Sequence, residues 1–85
     1  MKTVFYPRGV CSNKFEITVE NGMIEDIKIT GGCNGNLQGI SRLVKGQRAE
    51  DVIERLRGIR CGFKSTSCPD QIALALTKAL EEENA

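Results

Sequence analysis

The chain has 85 residues and a formal net charge of +1, from 12 Lys plus Arg against 11 Asp plus Glu, with 40% hydrophobic residues, no Trp and no His. That near-neutral balance gives no electrostatic argument for nucleic acid or for an anionic membrane, and no apolar run is long enough to cross a bilayer. Residues 1–85 read as a single domain, small enough that its own core is marginal and a disulfide, a metal or oligomerisation would help it fold.

The opening segment "MKTVFYPRGVCS" has no sustained apolar stretch of the kind that directs secretion, so a cytoplasmic location is expected. There, four cysteines serve more readily as metal ligands or redox groups than as static disulfides. Thr3 to Tyr6 is short and apolar and predicts a first strand, stopped by Pro7. From Lys14 to Glu20, "KFEITVE" alternates strictly, with Phe15, Ile17 and Val19 on one face of a half-buried strand. Asn21-Gly22 is a strong hairpin signal, and "MIEDIKIT" after it carries Ile27 and Ile29 as a partner strand would. Opposed residues share a face, so Phe15 and Ile17 must pair with odd-numbered partners. That parity disfavours a simple two-residue loop and sets either Gly31 or Cys33 opposite Cys11, with Cys11 and Cys33 at the same end of the hairpin.

After "GGCNGN" the period becomes helical. Leu37, Ile40, Leu43 and Val44 predict a first helix, capped by Asn34 or Asn36 and ended by Gly46. "AEDVIERLRG" predicts a second, with Val52, Ile53 and Leu56 inward and Gly58 beyond its end. The third begins at Pro69 and buries Ile72, Leu76, Ala79 and Leu80. Three strands followed by three helices give an α+β fold: a three-stranded antiparallel sheet with the helices packed on one face.

The four cysteines are Cys11, Cys33, Cys61 and Cys68, and no C-x-x-C pair occurs among them. Placement carries more information than spacing. Cys68 is expected at the N-cap of the last helix, where free backbone N–H groups and the helix dipole favour a thiolate. Cys33 sits in a similar spot before the first helix. Metal or cluster ligation is favoured over dithiol redox or persulfide chemistry and over inert packing, which any one of these cysteines alone would suggest. Without His, the site would be all-thiolate, either four-cysteine zinc or an iron–sulfur centre. The same absence removes the commonest general base, and with no paired-carboxylate constellation either, no catalytic residue is assigned. "GGCNGNLQG" could cradle an anion or a nucleotide at Gly31, Gly32 and Gly35, although a tight turn around Cys33 explains these glycines more simply.

"STSCPD", Ser65 to Asp70, resembles the signature of the TSCPD-domain family, and the chain's length and four cysteines resemble its small stand-alone branch. The domain is also found at the C-terminus of adenosylcobalamin-dependent ribonucleotide reductases. The resemblance implies a metal-binding accessory role with such an enzyme, or an enzyme of nucleotide metabolism, as protein partner. A second pattern is similar to U-type iron–sulfur cluster scaffolds: Cys11, "VENGMIEDIKITGGC", "LVKGQRAEDV" and a last cysteine opening the final helix recur there in this order. It implies the scaffold fold and cluster ligation by Cys11, Cys33 and Cys68. Ser67 stands where the scaffolds often have His, and no Asp follows Cys11. If Cys61 is the fourth ligand, a closed four-thiolate site is favoured over a labile cluster. The alternatives carried forward are an iron–sulfur or sulfur-transfer scaffold and a dithiol module supplying reducing equivalents to a ribonucleotide reductase.

Overall fold

A computed structural model describes residues 2–32, 34–60, 62 and 65–84, with the backbone alone at 34–36. In chain order the elements are β1 (Lys2–Phe5), β2 (Ser12–Glu20), β3 (Met23–Gly31), α1 (Asn34–Val44), α2 (Ala49–Leu56) and α3 (Cys68–Glu83). The strands form one antiparallel sheet in the order β1-β2-β3, so the alternating strand β2 is central. The α+β architecture expected from the order of periodicities is the one observed.

The inward face of β2 supplies Phe15, Ile17 and Val19, each at most 1% exposed. They pack with Ile24 and Ile27 of β3, Val52 of α2, and Ile72, Ala75, Leu76 and Ala79 of α3. Helix α3 lies along β2 and β1, α2 packs on α3, and α1 lies against β3. In α1, Leu37 and Val44 are buried and Ile40 packs on the core, but Leu43, expected inward, is 76% exposed. The apolar stripe of α1 is therefore narrower than its composition suggests. No helix among the described residues is long and apolar enough to cross a membrane.

The hairpin overturns one expectation. Its loop is the two-residue Asn21-Gly22 turn, both residues having positive φ (53° and 78°), as the hairpin-favoured type I′ turn requires. The parity objection is met by a β-bulge. Glu25 is an extra residue in β3, so the pairs shift from Thr18↔Asp26 to Val19↔Ile24. The inward set of β3 thereby changes from odd to even numbers, which buries Ile24 completely alongside Ile27.

A second bulge, at Asn13, lies between Lys14↔Thr30 and Ser12↔Gly31. It moves the far end of β2 by one residue, and Ser12 becomes the buried residue there. The pairs Phe15↔Ile29 and Ile17↔Ile27 follow the register that would set Cys33, not Gly31, opposite Cys11; the bulge ends that register at Lys14, and Cys33 lies outside the described residues.

The two sheet edges differ. Near the turn, the α1–α2 connection covers the edge of β3: Gly46 N donates to Ile24 O (2.7 Å), Ile24 N to Gln47 O (2.9 Å) and Ala49 N to Gly22 O (2.8 Å). Along β1, by contrast, Lys78 Nζ donates to Val4 O at 3.2 Å. Beyond the turn, Glu83 of α3 accepts the N–H groups of Asn21 and Gly22 on its two carboxylate oxygens, at 2.8 and 2.9 Å. Thr3 Oγ1, buried on β1, donates to Glu82 Oε1 at 2.6 Å. The last turn of α3 thus ties the start of β1 to the β2–β3 turn.

Candidate thiol site at the entry to the last helix

The start of α3 is fixed by a closed set of hydrogen bonds. Its N-cap is Ser67 (φ −150°, ψ 171°), whose Oγ accepts from Asp70 N and donates to Ile59 O at 2.6 Å. Cys68, expected at the cap itself, is instead the first helical residue, followed by Pro69. The physical reason is that a serine hydroxyl accepts the N–H of the third helical residue far better than a thiol does. Pro69 falls where the backbone N–H would have no helical partner in any case.

Asp70 Oδ1 accepts from Gly58 N at 2.6 Å, and Oδ2 accepts from Thr66 Oγ1 at 2.5 Å. These bonds hold the Asp70 carboxyl below its ordinary range, the Thr66 hydroxyl being the larger cause, the Gly58 N–H the next, with partial burial opposing both. Gln71 Nε2 donates to Thr66 Oγ1 at 2.9 Å, while Gln71 Oε1 accepts from Arg8 N at 3.2 Å. The network therefore fastens the α2–α3 connection and the β1–β2 connection to the same helical turn. Gly9 runs close beside it, since a Cβ on Gly9 would lie 3.3 Å from the Thr66 methyl.

Within this frame Cys68 is half-buried and its Sγ lies 3.2 Å from Ser12 Oγ, either atom serving as donor. Ser12 is the residue that the Asn13 bulge turns inward, so at this end of β2 it is Ser12 that meets Cys68. Cys11 is exposed and lines an open depression with Gly9, Val10, Ser65 and Thr66. Both thiols are free. Cys33 and Cys61 lie outside the described residues. Among the described residues, no group of three or more His, Cys, Asp or Glu side chains is placed to hold a metal ion. The two described thiols are soft donors, suited to zinc or iron–sulfur chemistry rather than to hard cations.

Of the candidate anion-binding glycines, Gly31 and Gly32 have consecutive positive φ values of 82° and 77°. A Cβ on Gly31 would stand 2.7 Å from Asn13 Nδ2. One on Gly32 would stand 2.7 Å from Leu37 Cδ1 and 3.0 Å from Ser12 Oγ. Protein atoms of the bulge and of α1 thus approach both backbones closely, as in a tight turn that feeds a helix. Gly35 lies in the first turn of α1.

Sequence reasoning assigned no role to Thr66, Ser67, Gln71 or Ser12. For Ser67 the signal was present, because Ser, Thr, Asn and Asp are the usual N-cap residues and one stood directly before the cysteine. For Ser12 there was none, since its inward turn depends on the bulge.

A family model described as TSCPD domain matches residues 1–80. No curated protein and no solved structure matches the chain. The likeness to cluster scaffolds rests on the residue pattern alone.

Proposed function

The chain belongs to the TSCPD-domain family, and from that premise we propose that it is a small metal-binding accessory module, holding zinc on cysteine thiolates and working in association with a ribonucleotide reductase or a related enzyme of nucleotide metabolism. The observation that carries the reading is the unequal use of side chains at residues 66–70. Among the described residues, the side chains of Thr66, Ser67 and Asp70 each make two hydrogen bonds within the protein, whereas the Cys68 sulfur meets Ser12 alone. A segment whose other polar side chains are all committed to presenting one thiol supports a role for that thiol as a ligand.

In this reading Cys68 and Cys11 are two ligands, with Cys33 and Cys61 completing a tetrahedral site. Zinc would cross-link the hairpin to the last helix and add binding free energy to the folding of a chain this small, with no redox chemistry of its own. Ser12 would orient and partly neutralise the Cys68 sulfur from behind. An all-thiolate donor set equally suits an iron–sulfur centre, which would make the module a cluster or sulfur-transfer scaffold.

Aerobic and anaerobic purification with metal analysis and visible absorption tests this. One zinc per chain without colour supports the structural site, and a brown protein supports the cluster. Metal-free protein that forms a reversible Cys61–Cys68 disulfide would overturn both and leave the dithiol module that supplies reducing equivalents. Association is tested by sedimentation of the metal-loaded chain with a purified ribonucleotide reductase.

A further inference from the structure

Strand β1 is an edge of the sheet, and among the described residues no strand pairs with its outer side. Its register with β2 runs Lys2↔Thr18, Thr3↔Ile17, Val4↔Glu16 and Phe5↔Phe15. In an antiparallel ladder alternate residues turn their N–H and C=O groups away from the partner strand. Val4 O is reached from outside by Lys78 Nζ, which places Val4 and Lys2 in that outward set. The β3 edge near the turn is covered by the α1–α2 connection, but along β1 one long, exposed ammonium group spans the edge. A lysine there blunts unwanted strand pairing.

Three of the protein's exposed large hydrophobic residues gather beside this edge: Val4 (37% exposed), Tyr6 (68%) and Leu74 (49%). Phe5, Tyr6 and Leu74 line a shallow depression with Arg8, Gln71 and Lys78. Its two charged residues are both cations. The carboxylates that meet β1 are engaged elsewhere: Glu82 by Thr3, and Glu16, opposite Val4 on β2, by Lys2 at 3.2 Å.

We propose that the free edge of β1 docks an extended acidic segment of a partner protein as a fourth strand, with apolar side chains in the Tyr6–Leu74 depression and carboxylates on Lys78 and Arg8. Main-chain hydrogen bonds to Lys2 and Val4 supply the pairing, and the depression and its cations select the segment. Lys78 exchanges Val4 O for a peptide carboxylate, giving a charge-assisted bond in place of a neutral acceptor. The inference deepens the accessory reading above, because it gives the protein partner a surface and a chemistry.

The test is an NMR titration of the full chain with a short capped peptide of alternating glutamate and valine. Two control peptides are its lysine-valine counterpart and a version N-methylated at alternate amides. The expected result is saturable shifts at Lys2 to Tyr6 and at Leu74 with the glutamate peptide alone. Affinity falls at least about tenfold in Lys78→Glu and in Leu74→Ala, and with added salt, as loss of a charge-paired contact predicts. Equal binding of the lysine peptide, indifference to N-methylation or to Lys78→Glu, or the absence of shifts would overturn the proposal. So would concentration-dependent shifts along β1 without peptide, which identify a second copy of the chain as the occupant. Repeating the titration in Cys68→Ser keeps the two readings apart: the peptide should bind there as before, and zinc should not.

Discussion

Ser12 Oγ and Cys68 Sγ face each other at 3.2 Å across the junction between the second strand and the last helix. Ser12 is buried, so its hydroxyl has this contact in place of water. In a thiolate-ligated site the hydroxyl would donate to the sulfur and fix its direction. Ser12→Ala is therefore predicted to lower zinc affinity about tenfold or more, the usual effect of removing a group that orients a ligand. Cys68→Ser is predicted to abolish stoichiometric binding. Competition titration with a chromophoric chelator measures both, and unchanged affinity in Ser12→Ala would remove Ser12 from the site.

Ser67 Oγ makes two bonds at once, accepting from Asp70 N and donating to Ile59 O. Ser67→Ala should destabilise the fold by about 1–2 kcal/mol, the range for loss of a good N-cap. Urea unfolding with an unchanged slope is the measurement. Ser67→Asp should recover part of the loss, because a carboxylate caps the helix but cannot donate to Ile59 O.

Gly32 is held between Ser12 and Leu37. Gly32→Ala puts a Cβ 2.7 Å from Leu37 Cδ1 at a φ of 77°, combining an unfavourable backbone conformation with overpacking. A loss of about 1–3 kcal/mol is expected from the crowding. Gly22→Ala is the control: it has the same sign of φ, 78°, but nothing within 4 Å of the added Cβ. The difference between the two in thermal unfolding isolates the crowding at the hairpin end.

The sheet, the three helices and most of the core were legible because they follow from period: Phe15, Ile17 and Val19 alternate, while Ile72, Leu76 and Ala79 recur at helical spacing. The bulges were legible only in part. Asn21-Gly22 demanded a two-residue turn while the alternation demanded odd partners, and the conflict is resolved by one extra residue, Glu25. The spacing of three between Ile24 and Ile27 is its trace in the sequence. The bulge at Asn13 leaves no such trace, because Ser12 is a small polar residue whose burial no pattern announces. For the same reason the meeting of Ser12 with Cys68 could not be read from the chain. At the start of α3, the cysteine before the proline drew attention that belonged to the serine one position earlier.

Glu83 closes the hairpin turn from outside by accepting the N–H groups of both Asn21 and Gly22. Glu83→Gln keeps the shape and one good acceptor, whereas Glu83→Ala leaves both N–H groups to water. The alanine variant should lose about 1 kcal/mol of stability, below the range for buried bonds to a charged group because the site is partly solvated. Amide exchange at Gly22 should quicken selectively, with Phe15 and Ile17 unaffected. Uniform acceleration along β2 would mean that the strap supports the whole sheet rather than its turn.

Asp70 links the fold to pH. Its carboxyl is held below the ordinary range in the folded chain by Thr66 Oγ1 and Gly58 N. The carboxylate therefore stabilises the fold fully above its unfolded value, about 3.9, and that contribution is lost as pH falls through the lower folded value. Thermal midpoints should be flat with respect to this group from pH 7 to about 5 and should fall below about 4. Asp70→Asn should be less stable than the parent at pH 7, because an amide oxygen accepts these bonds more weakly, and the two should converge as acid protonates the parent. Glu16 is also held below its ordinary range, chiefly by its bond to Lys2. The decisive comparison is thus the Asp70→Asn difference as a function of pH rather than the parent curve alone. A difference that stayed constant from pH 7 to 3 would show that the Asp70 bonds contribute through shape and not through charge.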